Sequence, residues 1–146
     1  MDKPTAKDVF ARHGLRCPGG KVVTLDAFER GHPMEPPYVI KPIDQGSSVG
    51  VHIVKEGDNY RPTGEDWTFG DRVLVEPFID GRELTVAVLD GEPLEVTEIT
   101  SDRGFYDYEA KYAEGGSIHL LPAPVPEAIR HEALETARRA HEAIGC

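Results

Sequence analysis

Two stretches in the middle of the chain alternate in the two-residue period of half-buried strands: Leu84-Thr85-Val86-Ala87-Val88-Leu89 and Leu94-Glu95-Val96-Thr97-Glu98-Ile99. Asp90-Gly91 lies between them and signals a hairpin. Further strands are predicted at Lys21-Val22-Val23-Thr24, at Tyr38-Val39-Ile40-Lys41-Pro42 with proline as its end, at Val51-His52-Ile53-Val54 and at Arg72-Val73-Leu74-Val75-Glu76. Helical spacing is clearest over Pro126 to Ile144, where Ile129, Ala133, Ala137, Ala140 and Ile144 recur and Gly145 suits the stop. That stripe reads as core packing. A second helix is predicted from Pro4 to His13, closed by Gly14, and a brief one over Leu25 to Arg30 before Gly31. Glu56 to Gly70, broken by Gly57, Pro62, Gly64 and Gly70, predicts no helix. Ser101 to Gly116 reads as a long polar and aromatic loop, of a length that usually serves a function. Strands outnumber helices and come mostly as hairpins, so the expected class is α+β with antiparallel sheets and flanking helices.

Composition narrows the function classes. The 146 residues suit about one ordinary domain, and the formal net charge of -10 argues against nonspecific nucleic-acid binding, which needs a basic footprint. Mean hydropathy is -0.40, and no apolar run approaches the roughly 20 residues needed to span a bilayer. The start, Met1-Asp2-Lys3-Pro4-Thr5-Ala6, carries no apolar signal core, so no secretory or membrane role is expected. Cys17 and Cys146 could form at most one bridge, and free thiols in the cytoplasm are the simpler reading. The six histidines form no paired-ligand pattern, so no metal ligands are assigned in the chain.

The acidic background makes the lysines informative. Lys41 sits inside an otherwise apolar strand, as either an edge-strand charge or a cation aimed at an anion. Shortly after it, Gly46-Ser47-Ser48-Val49-Gly50 matches the GxSxG form of a hydrolase nucleophile elbow, but that elbow must lead into a helix, and strand-like Val51 to Val54 follows. The turn lacks the GxxxxGK[ST] pattern of a P-loop. It reads either as a plain turn or as a hairpin closing over phosphates with backbone N–H groups and two hydroxyls. Glu76 ends a strand before Pro77, Phe78 and Ile79, where backbone could meet a purine edge, or where Phe78 and Ile79 are simply core.

In this order, Ile40-Lys41-Pro42, Gly46-Ser47-Ser48-Val49-Gly50, Val75-Glu76-Pro77-Phe78-Ile79, Gly81-Arg82-Glu83-Leu84-Thr85-Val86 and Phe105-Tyr106-Asp107-Tyr108-Glu109-Ala110-Lys111-Tyr112 resemble D-alanine–D-alanine ligases, as does the opening Met1-Asp2-Lys3. The resemblance covers nearly the whole chain. It implies a partial ATP-grasp fold of two small subdomains, a central one over residues 1–80 and the start of a C-terminal one over residues 81–146. It implies ATP phosphate contacts from Lys3, Lys41 and Lys111, with Gly46, Ser47, Ser48, Val49 and Gly50 over the phosphates. Adenine would be framed by Glu76, Pro77, Phe78 and Ile79, and the ribose held by Glu83. Tyr106 would belong to a lid whose Tyr112 bonds Ser47, so that Ser47, Lys111 and Tyr112 carry the catalytic roles. By resemblance the carboxylate of one D-alanine takes the γ-phosphate of ATP, and the amine of a second displaces phosphate from the acyl phosphate, giving a dipeptide for peptidoglycan. Glu109 to Tyr112 favours an amino acid as second substrate. A cytoplasmic homodimer is implied for the complete enzyme.

The family also has an N-terminal domain before the Met-Asp-Lys segment and, after the helix matching Pro126 to Ile144, an arginine and the acidic and asparagine ligands of Mg2+. None of these lies in this sequence. The chain by itself is therefore expected not to ligate D-alanine. Two further readings stay open, a nucleotide-binding module completed by another chain and an ATP-grasp ligase for a different acid.

Overall fold

The computed structural model describes residues 2–62, 65–100 and 117–146. The expected lid residues Tyr106, Lys111 and Tyr112 lie outside them. Two compact units result: Met1–Lys7 with Cys17–Asp80, and Asp8–Arg16 with Gly81–Cys146.

The first unit is built on a four-stranded antiparallel sheet of β1 (Lys21–Thr24), β2 (Tyr38–Pro42), β3 (His52–Val54) and β4 (Arg72–Pro77), in the order β1-β4-β2-β3. Register assigns its two faces. Tyr38 stands opposite Val54 and Pro77, Ile40 opposite His52 and Val75, and Pro42 opposite Val73. With a two-residue side-chain period, these residues share one face. On it Tyr38, Ile40, Val54, Val73 and Val75 pack with Phe28 and Trp67 into a buried core, each large apolar side chain contributing about 1.5–3 kcal/mol. Phe28 comes from the predicted short helix, which is a 3-10 helix, Leu25–Arg30. The opposite face presents Val39 and Lys41 of β2 with Leu74 and Glu76 of β4, since Val39 pairs with Glu76 and Lys41 with Leu74. No helix occurs within the described residues of 56–70, as the glycines and proline there predict.

The helix α1 runs Lys3–Arg12, one residue ahead of the expected Pro4 start. The reason is an N-cap: the Asp2 carboxylate accepts from the Thr5 backbone N–H at 2.8 Å, and the Asp2 carbonyl takes the first helical bond from Ala6. This places Lys3 and Lys7, four residues apart, on one side of the helix.

The second unit carries the predicted hairpin, β5 (Glu83–Leu89) and β6 (Glu92–Thr100), with a short third strand β7 (Ile118–Leu120) that alternation did not signal. Asp90 and Gly91 both take positive φ, 52° and 82°, as a two-residue turn between right-twisted strands requires. Val86 stands opposite Val96 but Val88 opposite Pro93, so β6 carries one extra residue, a bulge. Glu95 of this bulged stretch meets Arg130 of α2 (Glu127–Ile144) in a paired contact, 2.9 Å at both oxygens. A second such pair joins Arg82 to the buried Glu98 at 2.6 Å twice, and Arg82 also donates to the Pro124 carbonyl. The helix α2 closes at Gly145, whose φ is 73°, with Cys146 N–H on the His141 carbonyl and Gly145 N–H on that of Glu142. Its apolar stripe packs toward the sheet, as expected, but is only partly covered: no residue of α2 is buried, Ala133, Ala137 and Ala140 are half-buried, and Ile129 and Ile144 are 43% and 37% exposed. Among the described residues the stripe lines an open cavity of about 370 Å³ with Leu84 and Val86 of β5.

Candidate functional site

On the second face of the first sheet two ammonium groups meet one carboxylate, and a third lysine lies at the end of β2. Lys41 and Glu76 are diagonal neighbours across β2 and β4, close enough for long side chains to meet. The Lys41 ammonium donates to Glu76 Oε2 at 2.6 Å. The Lys7 ammonium, from α1, donates to Glu76 Oε1 and to the Pro18 carbonyl. Glu76 is only 4% exposed. Burial pushes its carboxyl up, but the hydrogen bonds and charges of Lys41 and Lys7 outweigh that and hold it below the usual glutamate range. A carboxylate buried with two cations is held ionised, whereas the same group alone would pay several kcal/mol of desolvation.

Lys3 forms the third corner. Its ammonium donates to the Pro42 carbonyl at 2.8 Å and to the Gln45 carbonyl, and its backbone N–H reaches the Ile43 carbonyl at 3.0 Å. Burial, and then the like charge of Lys41, hold its pKa below the ordinary lysine value. The start of α1 is thereby moored where β2 gives way to the Gly46–Gly50 turn.

That turn connects β2 to β3 as an antiparallel hairpin, so it is not the strand-to-helix elbow of a hydrolase. Nor is Lys41 an edge charge, because β2 lies between β4 and β3. Ser47 and Ser48 both hold positive φ, 53° and 61°, a conformation costing about 1–3 kcal/mol for a residue with a Cβ and concentrated at functional sites. Two backbone bonds stabilise the turn, Val49 N–H to the Gly46 carbonyl at 3.1 Å and Val51 N–H to that of Ser48 at 3.2 Å. Gly50, at φ 68°, fits against Phe69 and Pro42: a Cβ there would meet them at 2.5 and 2.7 Å.

The remaining expected residues divide by place. Pro77 still pairs with Tyr38, the half-buried Phe78 donates its N–H to the Pro37 carbonyl at 3.1 Å, and Ile79 is 65% exposed. Glu83 opens β5 of the second unit and is exposed. Sequence reasoning missed Lys7. Its spacing of four from Lys3 on a helix was the available signal. Among the described residues, no group of three or more His, Cys, Asp or Glu could hold a metal ion.

An antiparallel sheet with a lysine-lined face and a serine-rich hairpin, followed by a second antiparallel sheet backed by a helix, is the architecture of a partial α+β ATP-grasp fold. The solved D-alanine–D-alanine ligase of Bacillus anthracis matches it with a TM-score of 0.70 and 27% identity, covering 100% of this chain and 49% of that one. A structure of the ligase from the same organism in complex with ATP matches at 0.66 and 24% identity, which speaks to the fold alone. The D-alanine–D-alanine ligase of Caulobacter vibrioides is 54% identical over 100% of this chain and 47% of its own length. The family model for the C-terminus of D-Ala D-Ala ligases matches residues 28–146, and the chain belongs to this family. It spans about half the length of the curated relatives it matches.

Proposed function

We propose that this chain provides the nucleotide-binding part of an ATP-dependent ligase that joins two D-alanines for peptidoglycan precursors. Residues 1–80 serve as the central ATP-grasp subdomain and residues 81–146 as the start of the C-terminal one. The observation that carries the reading is the convergence of Lys3 and Lys41 on the end of β2 beside the strained Ser47-Ser48 turn. Phosphoryl transfer is mainly positioning and charge stabilisation, and such a cluster does both despite the acidic chain.

In this reading Lys3 and Lys41 face the phosphates, while the N–H groups and hydroxyls of residues 46–50 cover them. Glu76, Phe78 and Ile79 frame the adenine, and Glu83 takes the ribose. Ser47, Lys111 and Tyr112 have the catalytic roles, with Tyr106 in the lid. The first D-alanine carboxylate oxygen attacks the γ-phosphorus and ADP leaves. The second D-alanine amine then attacks the acyl carbon, phosphate leaves, and the amine loses a proton. Mg2+ would offset triphosphate charge, but the described residues hold no group of three or more His, Cys, Asp or Glu for a metal ion, so no step here is assigned to it. No described helix is long and apolar enough to cross a membrane. A cytoplasmic homodimer completes the proposal.

Calorimetric titration of the 146-residue chain with ATP tests the binding half. Saturable binding that Lys41→Ala weakens by about tenfold or more supports it. Absence of any ATP binding by the wild-type chain would overturn it. Formation of D-alanyl-D-alanine and ADP by the protein carrying this segment tests the ligase half.

A further inference from the structure

Lys7 has no place in the phosphate contacts just described, yet it is the second cation on the buried carboxylate. An ammonium has three protons to give. Lys7 spends one on Glu76 Oε1 and one on the Pro18 carbonyl, so most of its donor capacity is taken up within the protein. Lys41 holds the other oxygen, Oε2. A third constraint comes from β1: a Cβ on Gly20 would stand 2.9 Å from Glu76 Cγ and 3.0 Å from the Val75 carbonyl oxygen, so the Glu76 stem lies tightly against the bare glycine. Glu76 is thus pinned by Lys7, Lys41 and Gly20.

A carboxylate offers about four lone-pair sites, and the two ammonium groups use two of them. The rest can accept only from a donor. At position 6 itself a 6-amino purine brings an N–H donor, whereas a 6-oxo purine brings an acceptor oxygen that an ionised carboxylate repels. We propose that Lys7 is a positioning residue that sets purine selectivity: by clamping Glu76 it keeps the carboxylate fixed and ionised as an acceptor for the 6-amino group of adenine. The inference rests on the nucleotide reading above and deepens it.

Titration with ATP and with GTP, for the wild-type chain, Lys7→Ala and Lys7→Arg, tests the proposal. The wild-type chain is expected to prefer ATP. Lys7→Ala should weaken ATP binding by about tenfold or more and GTP binding much less, collapsing the preference, as loss of one partner from a buried charge pair implies. Lys7→Arg, which keeps the charge and donors, should recover most of it. Should Lys7→Ala not fold, Lys7→Gln, with a donor but no charge, must show the same narrowing. Equal losses for ATP and GTP would overturn the proposal and leave Lys7 as a general source of charge or stability. Equal wild-type affinity for the two nucleotides would overturn it too. Binding of neither nucleotide by the wild-type chain would instead overturn the nucleotide reading itself, and this inference with it.

Discussion

A Cβ at Gly20 would stand 2.9 Å from the Cγ of Glu76, inside ordinary contact distance. The obstructed atom is near the root of a side chain whose tip is held by two lysines, so it cannot swing away without breaking an ion pair. Gly20→Ala is therefore expected to destabilise the chain by about 1–3 kcal/mol, the usual cost of overpacking. A lower midpoint in denaturant or thermal unfolding checks this, and an unchanged midpoint would show that the sheet face yields.

Backbone strain in the Gly46–Gly50 turn makes a second expectation. Ser47→Ala and Ser47→Gly both remove the hydroxyl, but only glycine takes φ 53° without steric cost. Ser47→Gly should be more stable than Ser47→Ala by roughly 1 kcal/mol, read as the difference in unfolding free energy. At Gly50 the logic reverses. Gly50→Ala adds a Cβ at φ 68° and drives it into Phe69 and Pro42, and thermal unfolding should show a larger loss than at Gly20.

Acid should release the Lys7–Glu76–Lys41 arrangement. Burial favours the neutral carboxyl, but the two lysines prevail, so the folded-state pKa of Glu76 lies below its ordinary 4.5. A depressed carboxyl pKa stabilises the fold above the unfolded value, and this contribution is lost as pH falls through the folded one. Glu76→Gln should cost stability at neutral pH, and its deficit relative to wild type should shrink as pH drops below about 4.5. Unfolding midpoints of the two proteins across that range check the sign, and a constant gap would contradict it.

In the second unit, Arg82→Lys should destabilise although it conserves charge. The planar guanidinium meets both oxygens of Glu98 and also reaches the Pro124 carbonyl, which one ammonium cannot reproduce in the same geometry. Arg82→Ala should be worse, because it abandons the buried Glu98. Pairing it with Glu98→Gln should recover part of the loss, measurable as a coupling in a double-mutant cycle.

Local rules carried far along this chain. Alternation located both strands of the β5–β6 hairpin, and Asp90-Gly91 is the kind of pair its two positive φ values demand. Glycines and prolines correctly kept a helix out of the described part of 56–70. Where the signal was short or polar it failed. The three-residue β7 is exposed throughout and has no buried face to impose alternation. The α2 stripe has the right period, but period says nothing of whether a partner seals the face.

The chemistry-bearing residue types and their order, Lys3, Lys41, the Gly-Ser turn and Glu76, are written in the sequence, because local φ/ψ preference and side-chain period act over a few neighbours. Which lysine meets which carboxylate oxygen is not. Lys7 and Glu76 are 69 residues apart and meet only through the packing of α1, while the register of β2 on β4 brings Lys41 to the other oxygen. Short-range patterning cannot encode that meeting, since it depends on how separately formed elements pack against one another.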